Sequence, residues 1–349
     1  VVLTKTEPVL SKYTTNNNCF ENLIEALVNR IYLVTVNGVL AKPPSPEPGI
    51  FDTLKHLVYH IKDEIGNVAL MTRAEWVERS PSHRRAVYRI ALDNLNKYGW
   101  EDKFFDVKLF VKASREDNED DKACRVICPS YEECLVEKGP YIKSIEDDGE
   151  RTLYRAIDEV WRLRCCCEHL VCTKGLTQDE IGSLVETKWA MFNDPVYYCF
   201  DCSRFSQHTR EDALTLAYLL VWLIFPESDK KVLPQKVMGS ATLQDFHGLM
   251  WKVKALLPAI LFDGSNETAF IAHVVINCIF IDYFEKQSIK IEPLDCGDDF
   301  GAICERGAID ADAAIAHLLR FGYTLKMELY KTELNHIVFC QCSPLKLGS

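Results

Sequence analysis

The chain lacks an excess of basic charge. Forty Lys and Arg stand against fifty-one Asp and Glu in 349 residues, a formal net charge of −11. Phosphate binding needs a basic footprint, so this balance excludes a uniformly basic nucleic-acid coat and allows only a local basic channel inside an acidic shell. Part of the acid gathers at 116–121 and 146–150, which read as solvated loops. Long apolar runs are also missing. The longest, 213–225, is too short to span a bilayer and reads as a buried helix. No secretory signal opens the chain, and no internal repeat or low-complexity tail is present. Position 1 is Val rather than Met, which fits a processed product, a readthrough segment or a fragment.

Cysteine, by contrast, is abundant, with fifteen. In a small secreted protein such a number would predict disulfides. Here the cysteines lie on apolar runs without a leader, so reduced thiols are expected. The run Cys165-Cys166-Cys167-Glu168-His169-Leu170-Val171-Cys172 offers zinc-type ligands. Adjacent cysteines point in different directions, however, and no second paired cluster lies at zinc spacing, so buried free thiols are the better reading. Cys199 and Cys202 belong on opposite faces of a strand, and His208 and His273 read as structural.

At 48% hydrophobic and 26% charged, the chain suits one large globular unit or two ordinary domains. A Pro-rich linker at 43–48 precedes an amphipathic helix with Phe51, Leu54, Leu57, Val58, Ile61 and Ile65 on one face. Ser80-Pro81 announces a second helix, an N-cap followed by Pro at the first helical position. Strands are expected over 104–111 and 124–128, and helices over 141–164 and 178–192. The capping box Thr177-Gln178-Asp179-Glu180 opens the last of these. Then follow a strand at 196–200, helices at 210–225 and 242–253, a long helix over 266–285, a hairpin, a helix at 310–321 and strands at 323–328 and 336–342. Helices mixed with antiparallel hairpin strands predict the α+β class.

The hairpin carries the chemistry. Gly297-Asp298-Asp299 sits between the apolar runs 289–296 and 300–304, a tight turn that projects adjacent carboxylates off its tip. Asp201, in Tyr197-Tyr198-Cys199-Phe200-Asp201-Cys202-Ser203-Arg204-Phe205, ends a second strand in a carboxylate. Two strand ends of this kind are the minimum for a two-metal phosphoryl-transfer site.

Six segments then follow one another in order: Cys124-Arg125-Val126-Ile127-Cys128-Pro129, Thr173-Lys174-Gly175-Leu176, Asp201 to Phe205, Gly264 with Thr268, Gly297-Asp298-Asp299, and Phe339-Cys340-Gln341. In that order and spacing they resemble the RNA-dependent RNA polymerases of tombusvirus-like positive-strand RNA viruses, over about 19–345. The resemblance implies a right hand of fingers, palm and thumb. On this chain it assigns an N-terminal segment and fingers to 1–130, connecting helices to 131–190, palm to 191–226 and 258–345, a fingers insertion to 227–257, and the start of a largely absent thumb to 346–349. It implies Mg²⁺ or Mn²⁺ on Asp201 and Asp298, with Asp299 assisting, nucleoside triphosphates as substrates, and RNA template and product strands as partners. Lys112 and Arg125 would offer cations to the triphosphate, Lys326 a general acid to pyrophosphate, and Gly264 a close backbone approach to the nucleotide. Viral or host replication proteins are further partners. The implied location is the host cytoplasm, at membrane-associated sites reached through other sequence or partners.

This chain departs from the family pattern where the ribose would be felt. The second aspartate of the first metal-binding motif is Ser206, the serine before Gly264 is Asp263, and the asparagine four residues after Thr268 is Ala272. Ser206 and Asp263 look like an exchange, carboxylate and hydroxyl trading sides of one pocket that senses the 2′-OH. The acidic Ser130-Tyr131-Glu132-Glu133 replaces expected arginines. These changes favour the second reading, a catalytically inactive polymerase-like protein or viral remnant that binds RNA or protein.

Overall fold

The computed structural model describes residues 13–15, 17–36, 39–113, 115–117, 123–146, 151–327, 330–340 and 342. Its centre is a four-stranded antiparallel sheet ordered Ile291–Cys296, Asp299–Glu305, Pro195–Cys202, Leu325–Met327. Side chains alternate across it, as the two-residue strand period requires. Phe200, Phe300, Ala302 and Cys304 face the main core, whereas Tyr197, Leu294 and Ile303 face a smaller one with Val185, Ile337 and Phe339.

The helix Thr268–Gln287 fills the main core. It is apolar all round, and every residue from Phe270 to Phe284 is buried. Helices Lys55–Ile65, Thr152–Cys165 and Glu211–Ile224 contribute to the same core. Phe280 stacks on Phe300 with ring centroids 4.0 Å apart, and each buried ring of this kind stabilises by about 1.5–3 kcal/mol. By length and composition the Thr268–Gln287 helix could cross a membrane, yet 83% of its apolar window is buried inside the protein.

A second core lies under a small sheet ordered Met250–Leu257, Val237–Gln244, Val107–Lys108, to which the helix Phe20–Leu27 adds Leu23 and Leu27. A third joins helices Arg73–Arg79, Ser82–Tyr98 and the start of Glu132–Glu146.

Several expectations need correction. The stretch 242–253 is not helical but belongs to the hairpin Val237–Gln244/Met250–Leu257, which turns at Gly248 with φ +87°. Its apolar spacing fits either period, and the Asp245 carboxylate, accepting from the His247 and Leu249 amides, decides for the turn. The single helix over 141–164 is two, Glu132–Glu146 and Thr152–Cys165. Over 104–111 a 3-10 turn, Asp102–Phe105, gives way to two short strands. The 336–342 strand is a 3-10 turn, Leu334–His336, then a tight reversal in which Phe339 bridges Cys342 and Cys340 takes φ +49°. Gln341 lies outside the described residues. Residues 115–117, expected in an acidic loop, pair with Tyr13–Thr15, while 118–122 and 147–150 are not described. Pro81 caps the helix Ser82–Tyr98 rather than opening it. Finally, the 43–48 segment is a strap, not a free linker: Glu47 N–H donates to Arg320 O and its carboxylate pairs with the Arg320 guanidinium at 3.0 Å.

Candidate active site

Register decides which side chains of the central sheet meet. Cys296 opposes Asp299, Asp299 opposes Asp201, and Asp201 opposes Lys326. These four residues form one row across four strands, with Cβ atoms of directly opposed residues about 4.5–5.5 Å apart. Asp201 and Asp299 therefore reach the same small volume from ninety-eight positions apart in sequence. Asp298 occupies the two-residue loop between the hairpin strands, after Gly297 at φ +87°. The left-handed backbone there suits glycine, and a Cβ would rest 3.5 Å from Ala272.

This edge of the sheet opens into a cleft of about 810 Å³. Asp201, Asp298, Asp263 and Ser206 line it, with Arg30, Arg125, Lys174 and Arg204 as its cations. Thr268 and Ala272, on the first turns of the central helix, form another wall. Ser206 Oγ donates to Asp263 Oδ1 at 2.7 Å, and Arg125 Nη2 stands 3.5 Å from Asp263 Oδ2. The two residues inferred to have traded places are thus hydrogen-bonded to each other.

The carboxylates of Asp201, Asp298 and Asp299 crowd together at the sheet edge. Burial pushes the Asp298 carboxyl above the usual range, and the negative charges of Asp263 and Asp201 push it further, against the pull of Arg125. Burial raises Asp299 as well, followed by the charges of Asp298 and Asp201. A hard divalent cation is the partner such an oxygen-only set fits.

Beneath the loop lies a buried network that sequence reasoning missed. Asp295 Oδ1 accepts from the Gly297 amide at 3.0 Å, fixing the loop from below. Its Oδ2 meets His273 Nδ1 at 2.5 Å, Asn277 Nδ2 at 2.8 Å and Cys172 Sγ at 3.4 Å. Asn277 Oδ1 in turn accepts from Trp161 Nε1 at 2.6 Å. Burial alone would lower the His273 imidazole, but the Asp295 carboxylate outweighs it and holds the ring above its ordinary value. Cys172, His273 and Asp295 offer three metal-type donor atoms within 4.8 Å of one another. The 2.5 Å contact is a hydrogen bond, however, since two ligands on one tetrahedral ion stand roughly 3 Å or more apart. The readable signal was Asp295 itself, an Asx-type acceptor two residues before Gly297.

Four expected residues sit apart from the cleft lining, Asp299 among them, held in the strand row beside Asp201. Lys112 is exposed and joins the Arg125 strand through its backbone amide at 2.8 Å. Lys326 stays in the row beyond Asp201. Gly264 has φ +101°, and a Cβ there would come within 3.1 Å of Ile127 Cγ2, so its close approach is to the 127–129 segment. The Cys165–Cys172 run holds Cys167 and Cys172 buried and Cys166 exposed, all as free thiols. His208 is buried with its Nδ1 against Arg204 O at 3.1 Å.

Residues 6–349 match the family model described as viral RNA dependent RNA polymerase. The chain is 28% identical over 349 residues to an RNA-directed RNA polymerase of Melon necrotic spot virus, covering 97% of this chain and 42% of that protein. It is 28% identical over 346 residues to that of Carnation mottle virus, covering 97% and 43%. With the enzyme of Tomato bushy stunt virus (strain Cherry) identity is 26% over 352 residues, covering 97% and 41%. The chain spans about two fifths of the length of these relatives.

Proposed function

We propose, from the premise that this chain belongs to the viral RNA-dependent RNA polymerase family, that it is a polymerase core adding ribonucleotides to an RNA 3′-hydroxyl under template direction. The observation that carries the reading is the facing pair Asp201 and Asp299 at the sheet edge, with Asp201 and the loop residue Asp298 lining one cleft. The central sheet with its packed helices is the palm, and the 237–257 hairpin with the 107–128 strands is part of the fingers. The finer division keeps fingers over 1–130, connecting helices over 131–190, and palm over 191–226 and 258–345.

Asp201 and Asp298 would hold two Mg²⁺ or Mn²⁺ ions, with Asp299 completing the set. Bound there, the ions supply Lewis acidity to the attacking hydroxyl and to the departing pyrophosphate. Arg125 presents a planar fork to the triphosphate oxygens. The Asp263 carboxylate, already hydrogen-bonded to Ser206, accepts the ribose 2′-OH and so distinguishes ribonucleotides. Lys326, next to Asp201 in the row, is the candidate proton source for pyrophosphate, and Lys112 the more distant cation. RNA, nucleoside triphosphates and replication proteins at cytoplasmic membrane sites are the partners this function requires.

Primer extension on an RNA template tests the proposal. Incorporation with Mg²⁺ or Mn²⁺ that Asp298→Ala abolishes is the expected result. No incorporation by a chain extended to the length of its relatives would establish the inactive reading, which the joint changes at Ser206, Asp263 and Ala272 favour. Asp263→Ser should alter the preference for ribo- over deoxynucleotides. An unchanged preference and rate removes Asp263 from sugar recognition.

A further inference from the structure

We infer that the strand Met250–Leu257 is a docking edge for an extended acidic peptide, taken up as a further β-strand. In the sheet ordered Met250–Leu257, Val237–Gln244, Val107–Lys108 this strand is outermost. The hairpin register fixes which of its backbone groups are left over. Asp245 N–H donates to Leu249 O at 2.9 Å, so these two residues form a hydrogen-bonded pair, and such pairs recur at every second residue of an antiparallel ladder. Trp251, Val253, Ala255 and Leu257 therefore bond inward to Leu243, Ala241, Gly239 and Val237. Met250, Lys252, Lys254 and Leu256 turn their N–H and C=O groups away from the sheet. Two contacts agree with this phase. Ser240 O, on the far side of the neighbouring strand, accepts from Leu109 N–H at 2.9 Å, and Leu256 O accepts from Tyr32 Oη at 3.1 Å. Among the described residues, no other outward backbone group of this edge has a partner.

The side chains select the peptide. Met250, Lys252, Lys254 and Leu256 share the outer face and are all exposed, beside Gln244, Thr242, Ser240 and Met238 of the next strand. Among the described residues, Lys252 and Lys254 make no ion pair. The row from Lys254 through Ser240 to Lys108 meets a carboxylate only at Glu132, which Lys108 holds at 3.3 Å. Asp245, at the turn, is engaged by the Trp251 indole and the His247 and Leu249 amides. In a chain of net charge −11 this is a locally positive face. Opposite charges directly across strands stabilise and like charges destabilise, so the residues facing Lys252 and Lys254 are acidic. Those between them fall beside Trp251, Val253 and Ala255, where Trp251 stacks on Phe20 at 4.9 Å, and are apolar. The partner is thus a segment that alternates apolar with acidic residues. A second copy of the strand is disfavoured, because antiparallel self-pairing about Val253 sets Lys252 against Lys254. A phosphate chain matches the lysines but not the alternation of backbone donors and acceptors, which an extended peptide matches along its length.

Fluorescence anisotropy of the full chain with a labelled Val-Glu-Val-Glu-Val-Glu-Val peptide tests this, followed by hydrogen exchange on the complex. Saturable binding that slows exchange of the Lys252 and Lys254 amides is expected. Reversing both charges, Lys252→Glu with Lys254→Glu, should weaken binding by about tenfold. Both side chains are exposed, so the variant should keep the parent's melting temperature. The same peptide N-methylated on its glutamates, with its charges intact, should lose binding. Absence of saturable binding, binding that leaves those two amides unprotected, or equal binding by the charge-reversed chain overturns the inference. An oligouridylate that binds through both lysines where the peptide does not also overturns it, and assigns the face to RNA. None of these readouts requires nucleotide incorporation, so a failure of the polymerase reading leaves this inference standing.

Discussion

At the scale of single residues, the site is a concentration of like charge held against its own repulsion. Asp298 and Asp299 carry raised carboxyls, so the folded chain binds protons that the unfolded chain has already released. The resulting penalty is fully present above the folded values. It fades as pH falls through them toward the unfolded value of about 3.9. Metal-free protein should therefore gain thermal stability as pH drops through that window, and Mg²⁺ should flatten the slope; melting curves across pH with chelator or Mg²⁺ check this. Asp298→Asn should raise the melting temperature of the metal-free chain slightly, by under about 1 kcal/mol since the carboxylates are partly solvated, while removing activity. His273 behaves oppositely. Its raised value means that its stabilisation is full below the unfolded imidazole range and is lost as pH rises through the folded one. His273→Ala leaves Asp295 buried without its cationic partner, at a cost of about 3–5 kcal/mol in denaturant melts.

At the scale of elements, what was legible followed how locally each element is determined. The hairpin at 291–305 could be read because a Gly-Asp loop between two short apolar runs has little else to become. The capping box at Thr177 and Glu180 placed the start of the helix Gln178–Trp189, which ends before the expected 192, with Glu180 N–H donating to Thr177 Oγ1 at 3.3 Å. The 237–257 hairpin was misread because its exposed Met250 and Trp251 and buried Val253 and Leu257 imitate a helical stripe. The parallel partner of its first strand, Val107–Lys108, lay too far upstream for a short window to see. The His273–Asp295 contact was invisible for a related reason, since it joins a helix to a strand through the core. Gly297→Ala tests the loop directly. The added methyl fits, so the expected loss of about 1–2 kcal/mol comes from the left-handed backbone, read as a lower melting temperature with a fall in incorporation.

At the scale of the whole molecule, charge is unevenly spread. Overall the chain is strongly acidic, yet the cleft gathers four Arg and Lys against three aspartates. The cleft lining is thus close to charge balance in a strongly acidic chain, whose overall charge resists nonspecific nucleic-acid binding elsewhere. RNA affinity should fall with salt, and Lys174→Ala should reduce the slope of log affinity against log salt by about 0.7 for a single strand. Filter binding across a salt series measures that slope.

The row from Cys296 to Lys326 also makes the site a matter of parity. Removing one residue between 195 and 201 turns Asp201 toward the opposite face, among the phenylalanines, because strand side chains count in twos. Half a slip does not exist. Insertions and deletions within these strands must therefore come in even numbers or extinguish the chemistry at a stroke.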